Sequence, residues 1–103
     1  MKIILKSRKN AYNAIGEYNL ETKEVIVLKN SIVSKEIAHS EKFKGANTIE
    51  KMRKDKIVNN SLKDDMAFKS LSTAANFVTG RSTNGLIAWK TEDGTKIKDI
   101  IKK

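Results

Sequence analysis

The chain has no cysteine, no proline and a single histidine, His39. Without cysteine, disulfides and thiolate metal sites are excluded, and one histidine cannot build a histidine-rich metal cluster. Nothing in the composition asks for an oxidising compartment. Long apolar runs are missing too. Runs such as Ile3-Ile4-Leu5 and Val25-Ile26-Val27-Leu28 fall far short of a bilayer span. Lys2 is followed by no extended apolar core and no small-residue cleavage site, so no secretory signal is read and a cytoplasmic location is expected. With neither a repeat nor a linker, residues 1–103 are expected to form one domain around one core. A chain of this size buries about two thirds of its unfolded surface, enough to fold alone with a modest margin.

What is abundant is positive charge. Lysine and arginine number 21 against 12 carboxylates, a formal net charge of +9. Such an excess favours polyanionic partners, because each neutralised phosphate releases condensed counterions. Arg8, Arg53 and Arg81 are the only arginines, and the same lysine excess arises from the codon bias of AT-rich genomes. An anionic membrane surface is not expected, since no long amphipathic helix carries an aromatic or leucine face.

The first third reads as strands. Lys2–Lys6 is a short apolar segment, Ala11–Leu20 is interrupted by Gly16 at a bulge or a close backbone approach, and Glu24–Leu28 is rich in β-branched residues. The turn Glu21-Thr22-Lys23 joins the last two, giving an antiparallel meander, and Asn30 suits a positive φ where the chain leaves the sheet. Residues 31–45 show helical potential around Ile32, Val33 and Ile37 without a clear cap. A helix is predicted over 47–59, capped by Asn47 or Thr48, with Glu50 in its first turn and Asn59-Asn60 at its end. Lys51, Arg53, Lys54 and Lys56 crowd it, either as a solvated face or as a basic surface. Met66–Lys69 reads as a strand. Ser70 or Ser72 caps a following helix whose Leu71, Ala74, Ala75 and Val78 share one face and which stops at Gly80. Arg81–Gly85 is a second cap-and-turn cluster, Leu86–Lys90 is strand-like, Glu92-Asp93-Gly94 turns, and Lys96–Ile101 closes the chain. The expected fold is α+β: a small N-terminal antiparallel meander packed with two to three helices and a short C-terminal strand or hairpin.

No constellation for catalysis stands out. Asp64-Asp65 and Glu92-Asp93 are the only adjacent carboxylates, and such pairs on turns cap or solvate. His39 has no serine-triad context and reads as a surface histidine. Neither GxxxxGK[ST] nor GxGxxG occurs, and the scattered acids do not suggest a metal-assisted nuclease. The chain is therefore expected not to be an enzyme and to need no cofactor or metal.

Phe68, Ser70, Ser72, Ala74-Ala75, Val78, Gly80-Arg81-Ser82, Asn84-Gly85, Trp89-Lys90 and Asp93-Gly94 together resemble the signature of the domain of unknown function 4357 family. That family is similar to the RAMA domain, named for its association with restriction enzymes and adenine methylases. Ala14-Ile15-Gly16, Val25–Leu28, Ser31, Arg53 and Leu62 agree with its earlier part, so the resemblance spans nearly the whole chain. Leu71 stands where the family usually has proline, Leu86 where it has tryptophan, and Asn30 where it has glycine. The second of these removes an aromatic beside the candidate loop. The resemblance implies a DNA-binding or DNA-modification-sensing role in company with DNA-handling modules.

The candidate nucleic-acid-binding residues are Arg81, Ser82, Thr83, Asn84, Gly85, Trp89 and Lys90, with Lys51, Arg53 and Lys54 as phosphate-positioning charges. Arg81 has the fork to grip a phosphate or a guanine edge. Ser82, Thr83 and the backbone around Asn84-Gly85 offer donors at a helix start. Asn84 has the amide to pair with adenine, and Trp89 the ring to stack on a base. Each has a plainer role: Ser82 and Asn84 as caps and turn formers, Trp89 as the core anchor. The expected function is a non-enzymatic DNA-binding accessory domain linked to restriction, modification or other DNA handling. The alternative is a small basic interaction module or inhibitor, phage- or mobile-element-encoded, that blocks a nucleic-acid-handling enzyme such as a CRISPR or restriction effector.

Overall fold

The computed structural model describes residues 1–7, 9, 11–38 and 45–101. His39, expected at the surface, lies outside the described residues. Strand β1 (Lys2–Lys6) buries Ile3 and Leu5, β2 (Asn13–Tyr18) buries Ala14, Gly16 and Tyr18, and β3 (Val25–Val27) buries Val25 and Val27. This alternation turns one face of each strand inward, and the three pair as the expected antiparallel meander. Gly16 pairs in register with both Ile3 and Val27, so it is not a bulge. The tip of the Trp89 ring lies 3.7 Å from where a Gly16 Cβ would stand. Between β2 and β3 the Asn19 side chain accepts hydrogen bonds from the Glu21 and Thr22 amides at 2.9 and 3.1 Å.

Asn30 takes the left-handed conformation expected of it, with φ 75°. Of the 31–45 stretch expected to have helical potential, residues 31–38 form no helix, and 39–44 lie outside the described residues. Ile32 bridges both Asn13 and Ser61, and the Val33, Ser34 and Ala38 amides donate to the carbonyls of Asn60, Val78 and Gly80. Residues 31–38 thus lace the sheet to the helical layer, which consumes the backbone groups a helix would have used internally.

The predicted 47–59 helix is cut short. Helix α1 spans Ala46–Arg53, and its cap position is Gly45 with no side-chain hydrogen bond. Asp55 is left-handed, with φ 63°, and a hairpin of β4 (Ile57–Val58) and β5 (Ser61–Leu62) follows. Asn59 and Asn60, taken from sequence as a helix end, are the two residues of its turn, with φ 52° and 65°. Two consecutive left-handed residues are what a tight hairpin demands, and asparagine tolerates them better than other non-glycine residues.

Strand β6 (Met66–Phe68) adds antiparallel to β3, giving the sheet order β1-β2-β3-β6. Helix α2 (Leu71–Thr79) then crosses back over the buried face. Ser70 caps it, accepting from the Thr73 amide at 3.1 Å, and Gly80 ends it with φ 72°. A Cβ on Gly80 would also overlap the Glu36 carbonyl and the Ser34 hydroxyl. Leu71, Ala74, Ala75 and Val78 are buried as their spacing predicts, and Phe77 meets Phe68 at 5.1 Å between ring centroids.

The expected strand over 86–90 is instead helix α3 (Gly85–Ala88), followed by α4 (Ile97–Ile101). Lys90 alone retains the strand-like role, bridging Ile4 and Lys96 across the Glu92-Asp93-Gly94 turn. The fold is α+β, with four helices among the described residues where two to three were expected. Gly85 explains why a helix fits there: a Cβ would overlap the Leu71 carbonyl, so only glycine lets α3 start against α2. Trp89 closes the core with no exposed surface, its indole N–H donating to the Leu71 carbonyl at 3.0 Å.

Candidate functional site

Gly80 turns the chain out of α2, and Arg81 and Thr83 in the loop beyond are stapled to that helix's last turn. The Arg81 amide reaches the Thr79 hydroxyl at 3.3 Å, the Thr79 and Thr83 hydroxyls meet at 2.7 Å, and the Thr83 amide donates to the Asn76 side chain at 2.8 Å. The loop is therefore held by side chains whose acceptors and donors are mutually satisfied. Its Arg81 side chain is exposed, and among the described residues no ion pair or hydrogen bond engages the guanidinium.

Arg81, Ser82, Thr83 and Asn84 line one open depression of about 460 Å³ together with Tyr12, Ile87 and Ala88. Tyr12 is half-buried and Ile87 is 42% exposed, so the floor is apolar beside a free cation. Neither residue was singled out from sequence. Tyr12 had one available signal: it follows the polar run Ser7-Arg8-Lys9-Asn10, an aromatic next to basic residues. Ile87 had none, because its exposure depends on α3 being a helix.

Two expected roles are corrected by this geometry. Trp89 is in the core and presents no face to a base. Backbone donors at the start of α3 are committed: the Gly85 amide donates to the Ser72 hydroxyl and the Leu86 amide to the Asn84 side chain, both at 3.0 Å. Those two amides are not free to hold an anion, and Gly85 itself is buried. The Asn84 side-chain oxygen caps α3, and with two lone pairs and its NH2 group the same amide keeps further hydrogen-bonding capacity. Ser82 stays exposed, and its side chain makes no hydrogen bond among the described residues.

Lys51, Arg53 and Lys54 fall in a second depression with Ile37 and Glu50. Lys51 and Lys54 are exposed, whereas Arg53 is half-buried and its guanidinium is engaged within the fold. Its Nε and Nη2 donate to the Phe77 carbonyl at 3.0 and 2.6 Å, and Nη1 donates to the Ser34 carbonyl at 2.8 Å. Arg53 caps the C-terminal carbonyls of α2 from outside the helix, where a cation also complements the dipole. Burial lowers its pKa to about 10, which leaves it charged at neutral pH. Segment 34–38 connects the two depressions, since Ile37 lines one and the Ala38 amide holds Gly80, next to Arg81. Lys90 lines neither. It is exposed at the β1 edge, its backbone paired with Ile4.

Among the described residues no group of three or more histidine, aspartate or glutamate side chains is placed to hold a metal ion, and no helix is long and apolar enough to cross a membrane. A family model described as Domain of unknown function (DUF4357) matches residues 5–101. No curated protein and no solved structure matches.

Proposed function

The chain belongs to the DUF4357 family, and from that premise we propose that it is a non-enzymatic DNA-binding accessory domain working beside restriction, modification or other DNA-handling proteins. One observation carries the reading: a single depression brings the unpaired Arg81 guanidinium together with the Ser82 hydroxyl and the Tyr12 ring. A guanidinium grips phosphate bidentately, and an aromatic beside it accepts the apolar face of a sugar or an unstacked base. Lys51 and Lys54 supply further phosphate contacts without sequence information. The net charge of +9 raises the local concentration of any polyanion around all of them. Tyr12 replaces Trp89 as the stacking residue in this reading. The likeness expected between the DUF4357 family and the RAMA domain favours the same class of partner.

The test is fluorescence anisotropy with a labelled DNA duplex at two salt concentrations, roughly 50 and 200 mM, over which phosphate-dependent binding weakens by orders of magnitude. The wild-type chain is expected to bind at the lower salt and to lose affinity steeply at the higher. Arg81→Ala is expected to weaken binding roughly tenfold, or about 1.4 kcal/mol. Absence of binding at the lower salt up to roughly 100 μM, the weak end of non-specific affinity, sinks the proposal.

A further inference from the structure

Among the described residues no helix covers one face of the sheet, and the character of that face runs against the net charge of the chain. In an antiparallel sheet with one face on the core, the other is expected to be polar. Here Glu17, Ile26 and Ala67 lie side by side across β2, β3 and β6 on that outer face. Ile26 is 40% exposed, and Leu20, on the turn between β2 and β3, is 51% exposed. The two form the floor of an open groove of about 590 Å³ with Ala67, and Glu17, Glu21 and Glu24 rim it. No lysine or arginine side chain lines it. A chain with 21 cationic and 12 anionic side chains has thus set three of its carboxylates around one open groove with Leu20, Ile26 and Ala67 in it. Glu17 faces the amino terminus at 3.5 Å, while among the described residues no cation pairs with Glu21 or Glu24.

We propose that this groove docks a basic, amphipathic segment of a partner polypeptide, with apolar side chains on Leu20 and Ile26 and lysine or arginine side chains on Glu21 and Glu24. Charge complementarity selects this occupant. Nucleic acid is repelled by the carboxylate rim. A two-fold homodimer through the same face would set rim against rim, because an isologous contact brings each patch onto itself. Like charges so juxtaposed oppose association. A segment alternating apolar and basic residues answers both the floor and the rim at once.

The discriminating feature is that the whole chain is strongly positive, so general electrostatics repel a basic peptide and only a local acidic groove attracts one. A displayed library of short random peptides is selected against the immobilised full chain at physiological salt. Enriched peptides are expected to alternate lysine or arginine with large apolar residues. Their affinity is expected to fall at least about tenfold for the Glu21→Gln/Glu24→Gln double variant and again for Ile26→Thr. Both variants alter exposed positions and are expected to unfold at the wild-type denaturant midpoint. Three results overturn the proposal: no enrichment, enrichment of acidic or uncharged peptides, or basic peptides that bind both variants as tightly as wild type. Sedimentation showing a wild-type dimer that Ile26→Thr dissociates would assign the face to a second copy instead, and would overturn it too.

Discussion

Arg53 and Arg81 have the same side chain and opposite surroundings, and substitutions at the two should separate cleanly. Arg53 donates to the carbonyls of Phe77 and Ser34 and to the Ser34 hydroxyl, with its guanidinium carbon 5.7 Å from the Phe77 ring centroid. Arg53→Met leaves those acceptors half-buried without a donor, and hydrogen bonds to charged groups contribute about 1.5–3 kcal/mol. A loss of about 2–3 kcal/mol in urea unfolding is expected for Arg53→Met. Arg53→Lys should recover little of it, because one ammonium cannot span the fork's positions. Arg81→Ala should leave stability within about 0.5 kcal/mol while weakening DNA binding as described above. Arg53 also sets a sign for pH dependence. Its folded pKa of about 10 lies below the ordinary guanidinium range, so the charged form is disfavoured in the fold. Stability from this group rises only as pH climbs through about 10, and it contributes no slope near neutrality. Sequence could not separate the two arginines. Arg53 sits in the run Lys51–Lys56 like any surface cation, and what buries it are Ser34 and Phe77, which are 19 and 24 residues away along the chain.

At the scale of elements, legibility followed how local the determining chemistry is. Helix α2 was readable because its cap Ser70, its apolar face and its terminator Gly80 all lie within eleven residues of chain. The meander was readable because alternation in β1, β2 and β3 is a local pattern. The end of α1 was not, since Lys54–Ile57 has no strong breaker and the hairpin beyond it is fixed by contacts from residues 30–33. Helix α3 was misread because its reason is tertiary: Gly85 must touch Leu71. Two predictions belong here. Asn60, with φ 65°, suits glycine, so Asn60→Gly should hold or raise the urea midpoint. Asn60→Val should destabilise by about 1–3 kcal/mol through a β-branched residue at positive φ. The Glu92-Asp93-Gly94 turn is held by Asp93, whose carboxylate accepts first from the Thr91 hydroxyl and also from the Thr95 amide, lowering its pKa below the ordinary 3.8. That stabilisation is present above 3.8 and is lost as pH falls through the lower folded value. An NMR titration should place the Asp93 midpoint below 3.8, and Thr91→Val should move it back up.

The Arg81 depression and the carboxylate-rimmed groove lie at opposite ends of strand β2, and that arrangement makes its own prediction. Tyr12 lines the depression holding Arg81, whereas Tyr18 lines the groove rimmed by Glu17, Glu21 and Glu24. These tyrosines bracket strand β2, so the two surfaces are separated by about 20 Å at roughly 3.3 Å per residue. At physiological salt the Debye length is about 8 Å, so charges at one end are largely screened from a ligand at the other. The Glu21→Gln/Glu24→Gln variant removes two negative charges, taking the formal net charge from +9 to +11. If total charge governed DNA affinity, that variant would bind much more tightly at any salt. If the Arg81 depression governs it, affinity should change by less than about twofold at roughly 0.15 M salt and should tighten only near 0.01 M, where the Debye length reaches about 30 Å. For the same reason a basic peptide bound at the acidic groove should leave DNA affinity unchanged at physiological salt, so that both ligands occupy one molecule together. Displacement of labelled DNA by that peptide would mean the two surfaces overlap, and the separation drawn from β2 would be wrong.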